Sequence, residues 1–229
     1  MTLNVVGRID DRVNVKYVLV SVWDKTGLDD MVRRLIKVNP SVLMLSTGGT
    51  HQAIRDALGE NGSAVNLKQV SDYTGQPEMQ GGLVKTLDFR IYLGLLSETY
   101  NEAHQQDLHR TAGVAIDMVV VNLYPFVRTV AAPGVTPEQA RGNIDIGGPC
   151  MLRAAAKNFI RVACLTDPAD YGLVLEELER NQGSISLRTR YDLARKAFRN
   201  VAEYDEAITA YLTRTDYAQV RRCYQDGKA

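Results

Sequence analysis

Several segments of the chain carry side chains that could hold an anion or move a proton. Ser46-Thr47-Gly48-Gly49-Thr50 sits between an apolar run and a helical pattern. Paired glycines there let backbone N–H groups close on an anion, the hydroxyls add donors, and a helix N-terminus adds a favourable dipole. The same residues also make an ordinary tight turn with a threonine cap. Ser21-Val22-Trp23-Asp24-Lys25-Thr26 ends the preceding apolar run in the same way and adds the Ser21 hydroxyl and the Lys25 ammonium. Two such turns at neighbouring strand ends favour phosphate binding over an incidental turn.

Gly81-Gly82-Leu83-Val84-Lys85-Thr86 sets a lysine and a threonine after flexible backbone, in a stretch too long for a minimal connector. Such a lysine either faces a ligand or is a solvated charge. Asn122-Leu123-Tyr124-Pro125-Phe126 closes the most apolar run, where the Tyr124 phenol could donate to a developing oxyanion or could cap the core. Asp145 lies in the turn Ile144-Asp145-Ile146-Gly147-Gly148-Pro149, ahead of a helix bearing Arg153 and Lys157. Those two cations are four residues apart on one helical face, which disfavours protonation of the lysine. Asp145 and Lys157 read either as a proton-transfer pair or as a surface salt bridge.

The frame that positions these residues follows from the alternation of apolar runs with helical periods. Residues 17–23, 41–45, 65–70, 91–96, 116–123 and 161–166 read as strands. Helices are expected over about 26–38, 46–58, 98–110, 149–158, 167–180 and 187–212. The last should bury a stripe of Leu187, Tyr191, Ala194, Phe198, Val201 and Ile208. The order predicts an α/β fold of three layers, a mainly parallel sheet with helices on both faces. Ligands in such folds sit at the carboxyl ends of the strands, where the glycine-rich turns fall. One domain is expected across residues 1–229, with its core at about 17–212.

Composition removes several classes of function. Lysine plus arginine equals aspartate plus glutamate at 27 each, so no broad basic surface for nucleic acid is expected. The longest apolar runs are far too short to span a bilayer. Cys150, Cys164 and Cys223 are odd in number and widely spaced, and no leader pattern precedes them. A cytoplasmic protein with reduced thiols is expected. His51, His104 and His109 share no metal-ligand spacing, so no metal is expected either.

In their order along the chain, S-V-W-D-K-T-G-L, S-T-G-G-T, S-D-Y-T-G-Q-P-E-M, V-K-T-L, V-V-N-L-Y-P-F, N-I-D-I-G-G-P and R-A-A-A-K-N resemble the IMP cyclohydrolase family. That family is the N-terminal half of a bifunctional purine-biosynthesis enzyme whose other half is an AICAR transformylase. The similarity runs over about residues 17–212, through a final A-F-x-x-x-A-x-Y-D-x-A-I helix. The resemblance implies a methylglyoxal-synthase-like fold. It implies dehydrative closure of 5-formamidoimidazole-4-carboxamide ribonucleotide to inosine monophosphate, without cofactor or metal, by a stand-alone cyclohydrolase.

Carried over motif by motif, Ser21, Lys25, Thr47, Gly48, Gly49, Thr50 and Thr86 would hold phosphate and ribose, with Asn122, Ile146 and Gly147 as further substrate contacts. Lys85 and Tyr124 would stabilise the oxyanion, and Asp145 and Lys157 would move protons. A purine ribonucleotide is the implied ligand; a separate AICAR transformylase chain and a second copy of this chain are the candidate protein partners.

One region departs from the family pattern G-R-V-K-T-L-H-P-x-V-H-x-G-I-L. Here Leu83 replaces the arginine, Asp88 and Tyr92 the two histidines, and Phe89 the proline. Trp23 stands at the second serine of S-x-S-D-K. The retained Lys85, Tyr124, Asp145 and Lys157 predict surviving chemistry, while Asp88 is expected to place negative charge near the anion site. That charge motivates a rival reading, a non-catalytic nucleotide- or phosphometabolite-binding regulatory domain. Methylglyoxal synthase itself is disfavoured by the N-L-Y-P-F and R-A-A-A-K-N segments.

Overall fold

The computed structural model describes residues 5–77 and 84–227. Its centre is a parallel five-stranded sheet of β2 (Tyr17–Val22), β3 (Leu43–Ser46), β4 (Leu67–Gln69), β5 (Met118–Asn122) and β6 (Ala163–Leu165), in the order β4-β3-β2-β5-β6. The chain steps outward from β2 through β3 to β4, then returns to β5 on the other side. The carboxyl ends of β2 and β5 therefore meet at a topological switch point, with Val22 opposite Asn122. A separate antiparallel pair joins β1 (Arg12–Asn14) to β7 (Ser184–Ser186). Three residues per strand are too few to leave a periodic signal, and the sequence predicts neither.

Both faces of the sheet are covered, which is why its strands read as unbroken apolar runs. Val18, Val20 and Val22 pack with α1 (Leu28–Val38), with Ile54 and Ala57 of α2 (Gly48–Asn66), and with α9 (Tyr171–Arg180). Leu19, Val119 and Val121 pack on the other side with α4 (Phe89–Leu96), α8 (Gly147–Lys157) and α10 (Leu187–Arg214). The expected three-layer α/β arrangement is present. The remaining helices are α3 (Val70–Thr74), α5 (Glu102–Arg110), α6 (Phe126–Val130), α7 (Pro137–Gly142) and α11 (Tyr217–Arg221). Among the described residues no helix is long and apolar enough to cross a membrane.

Several expectations are corrected. Residues 91–96 form part of the helix α4 and not a strand. A short apolar run suits either element, and Asp88 decides it by accepting the Arg90 N–H as N-cap at 2.8 Å. α2 continues past Leu58 to Asn66 across a kink at Gly59 (φ 69°), so the third strand starts at Leu67 and not at Val65. Asp167 caps a short 3-10 turn, Pro168–Asp170, ahead of α9.

The buried stripe of α10 is rotated from the expected one. Arg190, Leu193, Ala194, Ala197, Val201, Tyr204 and Tyr211 are buried, whereas Tyr191 and Phe198 remain 46% and 41% exposed. Arg190 is the reason: it is wholly buried, and its five N–H groups meet five backbone carbonyls. Nε donates to Phe159 (3.0 Å), Nη1 to Asp11 (3.1 Å) and Ile185 (2.6 Å), Nη2 to Asp10 (2.8 Å) and Ile160 (3.0 Å). With every donor satisfied, this arginine can occupy a core position.

Candidate functional site

At the switch point the loops after β2, β3 and β5 open a cleft of about 290 Å³. It is lined by Ser21, Lys25, Thr47, Gly48, Gly49, Thr50, Lys85, Thr86, Asn122, Tyr124, Asp145, Ile146 and Gly147. Every expected site residue except Lys157 is brought together there. Leu83, Gly81, Gly82 and Met79 lie outside the described residues.

Positive potential converges on the cleft from several directions. α2 begins at Gly48 with no side-chain cap on its N-terminus, although Thr47 occupies the cap position. Gly48 has φ +49°, and a Cβ there would stand 2.9 Å from Lys85 Nζ. The left-handed φ favours glycine, and its absence of a side chain lets the ammonium lie against the start of the helix. Thr86 Oγ1 similarly lies 3.0 Å from where a Cβ on Gly147 would be, at the start of α8. Two helix N-termini and the ammoniums of Lys25 and Lys85 thus border one space, an arrangement suited to an anionic group.

Two expected ligand contacts have other work. Thr50 Oγ1 accepts the Val22 N–H and donates to Val22 C=O, both at 3.0 Å, so its hydroxyl ties α2 to the end of β2. It has no proton left for a phosphate. Asn122 Oδ1 accepts the N–H groups of Trp23 (2.7 Å) and Asp24 (2.8 Å), and its Nδ2 donates to Asp24 C=O at 2.8 Å. Asn122 pins the β2–α1 loop and so fixes the place of Trp23 and Lys25.

The N-L-Y-P-F segment divides its labour by position. Asn122 holds the loop, Tyr124 lines the cleft, and Phe126 is buried. Phe126 packs edge-on against Tyr204 (6.2 Å) and Tyr211 (5.7 Å) of α10, which anchors the backbone just after Tyr124.

Asp145 is held by a small network. Its Oδ1 accepts the Gly148 N–H at 2.8 Å, and its own N–H donates to Tyr204 Oη at 2.9 Å. Tyr204 in turn donates to Asn143 C=O at 3.3 Å. Burial raises the Asp145 carboxyl above its ordinary pKa, and the N–H groups of Gly148 and Tyr124 draw it back only in part. A carboxyl so tuned holds a proton more readily than an ordinary aspartate, which suits an acid–base role. Tyr204 has no signal of its own in the sequence beyond its place in the final helix motif.

Lys157 is the correction. It is the last residue of α8 while Asp145 precedes the first, so ten residues of helix, about 15 Å at 1.5 Å per residue, separate the two ends. Lys157 is exposed and does not line the cleft. Arg153, its expected like-charged neighbour, lies over the Phe198 ring at 5.8 Å. Asp88 is likewise absent from the cleft lining; its carboxylate accepts the Arg90 N–H at the start of α4. Tyr92 is half-buried against the α8 side of the core. Among the described residues no group of three His, Cys, Asp or Glu could hold a metal ion.

Gly148 must stay a glycine for this site to work. A Cβ there would fall 2.6 Å from Asp145 Oδ2 and 2.6 Å from Leu123 Cδ2. Gly148→Ala is expected to push the carboxylate aside and lower kcat about 10- to 100-fold with KM little changed, since sub-ångström placement governs such steps. Steady-state kinetics check this, and an unchanged kcat would refute the placement of Asp145.

Residues 27–150 match the family model described as an MGS-like domain, and residues 155–228 match the AICARFT/IMPCHase bienzyme model. The chain is 47% identical over 197 residues to the bifunctional purine biosynthesis protein PurH of Trichormus variabilis, covering 86% of this chain and 38% of that protein. It is 48% identical over 199 residues to PurH of Sorangium cellulosum, covering 87% of this chain and 36% of that protein. The chain thus spans less than two fifths of the curated relatives it matches. Among solved structures, ForH aligns with a TM-score of 0.71 at 32% identity, covering 85% of this chain and 97% of that one.

Proposed function

Because this chain belongs to the MGS-like domain family and matches the AICARFT/IMPCHase model over residues 155–228, we propose that its cleft is an IMP cyclohydrolase site. The observation that carries the reading is one space that an anion cradle shares with Lys85, Tyr124 and Asp145. The cradle takes the 5′-phosphate of 5-formamidoimidazole-4-carboxamide ribonucleotide. Lys85 and Tyr124 face the formyl oxygen. As the carboxamide nitrogen attacks the formyl carbon, Asp145 accepts the nitrogen's proton, and the two donors stabilise the oxyanion that forms.

The oxyanion takes a proton from one of its donors, Lys85 or Tyr124, to become a hydroxyl; Asp145 then returns its proton to that hydroxyl as the carbon–oxygen bond breaks and water departs. The formamido N–H proton, released as the ring carbon–nitrogen double bond forms, goes back to the donor, and inosine monophosphate remains. One carboxyl with a raised pKa both takes up and returns its proton, and Lys157 is not needed. The reading treats residues 17–212 as the working core and places the protein in the cytoplasm, where Cys150, Cys164 and Cys223 stay reduced. The relatives are named bifunctional, so in them the second activity shares the polypeptide; a separate transformylase chain has no support from them.

The test is turnover of the formamido ribonucleotide by the purified chain, followed by purine absorbance without added metal or folate. Formation of inosine monophosphate is expected. Binding of a purine nucleotide by calorimetry with no product would make this a binding domain instead.

A further inference from the structure

We infer that Tyr204 of α10 is a positioning residue for the proton transfer, its hydroxyl setting where the Asp145 carboxylate stands. The inference rests on the cyclohydrolase reading of the cleft and deepens it. Tyr204 is only 9% exposed and is not among the residues that line the cleft, so it reaches the reaction through its neighbours and not through the substrate.

One hydroxyl has two partners on one short loop. Tyr204 Oη accepts the Asp145 N–H at 2.9 Å and donates its single proton to Asn143 C=O at 3.3 Å. Asn143 closes α7 and Asp145 stands just ahead of α8, so the two bonds fasten the passage between those helices to α10, 59 positions further along the chain. With its main chain tied there, Asp145 sets its carboxylate on the Gly148 N–H at 2.8 Å.

The ring of the same residue serves the other side of the reaction. It meets Phe126 edge-on at 6.2 Å, and the Phe126 N–H donates to Tyr124 C=O at 2.8 Å. Proton acceptor and oxyanion donor are thus both placed against one buried tyrosine, Asp145 through the hydroxyl and Tyr124 through the ring. Tyr204→Phe separates the two. It keeps a ring against Phe126 but leaves the Asp145 N–H and the Asn143 C=O without their partner, so the loop is free to shift.

The experiment measures kcat and KM with the formamido ribonucleotide for the full chain as parent, Tyr204→Phe, Asp145→Asn and the double variant, with thermal melts to show that each is folded. Carbon NMR follows the Asp145 carboxyl against pH in the parent and Tyr204→Phe, and Asp145→Asn assigns the signal. Tyr204→Phe is expected to lower kcat about 10-fold with KM little changed, because a displacement of about 1 Å can cost on the order of 100-fold. In the Asp145→Asn background the same change should lower the residual rate less than about twofold, as for two residues that act as a unit. The Asp145 midpoint should move upward, since the N–H groups of Gly148 and Tyr124 that draw it down lose their alignment.

A parental kcat in Tyr204→Phe, an unmoved midpoint, or a loss of equal size with and without Asp145 each overturns the inference. Absence of turnover in the parent refutes the cyclohydrolase reading instead. The titration then decides alone: a moved midpoint upholds Tyr204 as the group that places Asp145, and an unmoved one refutes it.

Discussion

Replacing Asp145 by asparagine is expected to lower kcat by about 10²- to 10⁴-fold, the range a positioned acid–base group contributes, while leaving the protein folded. The asparagine carbonyl can still accept the Gly148 N–H, so the turn before α8 keeps its contact. In the parent the pH profile of kcat/KM should fall on the acid side as Asp145 takes a proton, at a pH above the ordinary carboxylate value because burial raises its pKa. That limb should vanish in the variant.

Stability moves the other way. A carboxyl whose folded pKa is raised contributes stability below its unfolded pKa and loses it as pH rises through the folded value. At pH 7 the ionised group is therefore a cost to the fold, and Asp145→Asn should be at least as stable as the parent in a thermal melt. A variant that turns over at the parent rate, or a parent profile with no acid limb, would remove Asp145 from the mechanism.

Arg190→Met is expected to cost at least about 3 kcal/mol of folding stability, a large part of the 5–15 kcal/mol typical of a domain. Methionine fills similar space but leaves the carbonyls of Asp10, Phe159, Ile160 and Ile185 without the guanidinium's N–H groups, while Asp11 C=O keeps the Leu187 N–H at 2.6 Å. An unsatisfied buried carbonyl costs about 1–3 kcal/mol, and relaxation of the surrounding backbone recovers some of the sum. Urea midpoints measure the loss. Arg190→Lys gives an intermediate case if the methionine variant does not fold, since an ammonium offers three donors to five acceptors. A methionine variant within 1 kcal/mol of the parent, on the order of one ordinary hydrogen bond, would show that the guanidinium is dispensable.

Sequence pattern located the cleft well because its parts lie at strand ends and turns, where residue type is closely tied to backbone geometry. Gly48, Lys85, Thr86, Tyr124, Asp145 and Gly147 all fall within it. What pattern could not settle was the direction of individual side chains. Thr50 and Asn122 look like ligand donors as residue types, and only three-dimensional placement shows their polar atoms committed to Val22, Trp23 and Asp24. Lys157 misled because a short separation in sequence becomes the full length of α8 in space.

Similar physics explains the misread elements. The apolar run over 91–96 fits a strand as well as a helix until Asp88 is recognised as a cap. The stripe of α10 was displaced because an arginine counts as polar in any periodicity, yet Arg190 is buried, and its neighbour Tyr191 packs edge-on to Phe159 at the surface.

The bonds of Arg190 also bear on how the chain is made. They reach back 179 and 180 positions to Asp11 and Asp10, and β1 pairs with β7, Arg12 opposite Ser186. This segment thus leaves a ribosome long before its partners do. At about 5–20 residues per second it waits some 10–40 s for residue 190 to emerge. During that interval β2, β3 and β5 can assemble with α1 and α2 while the amino-terminal segment is still unpaired. A contact of such high sequence separation carries a large loop-closure cost, which slows its formation.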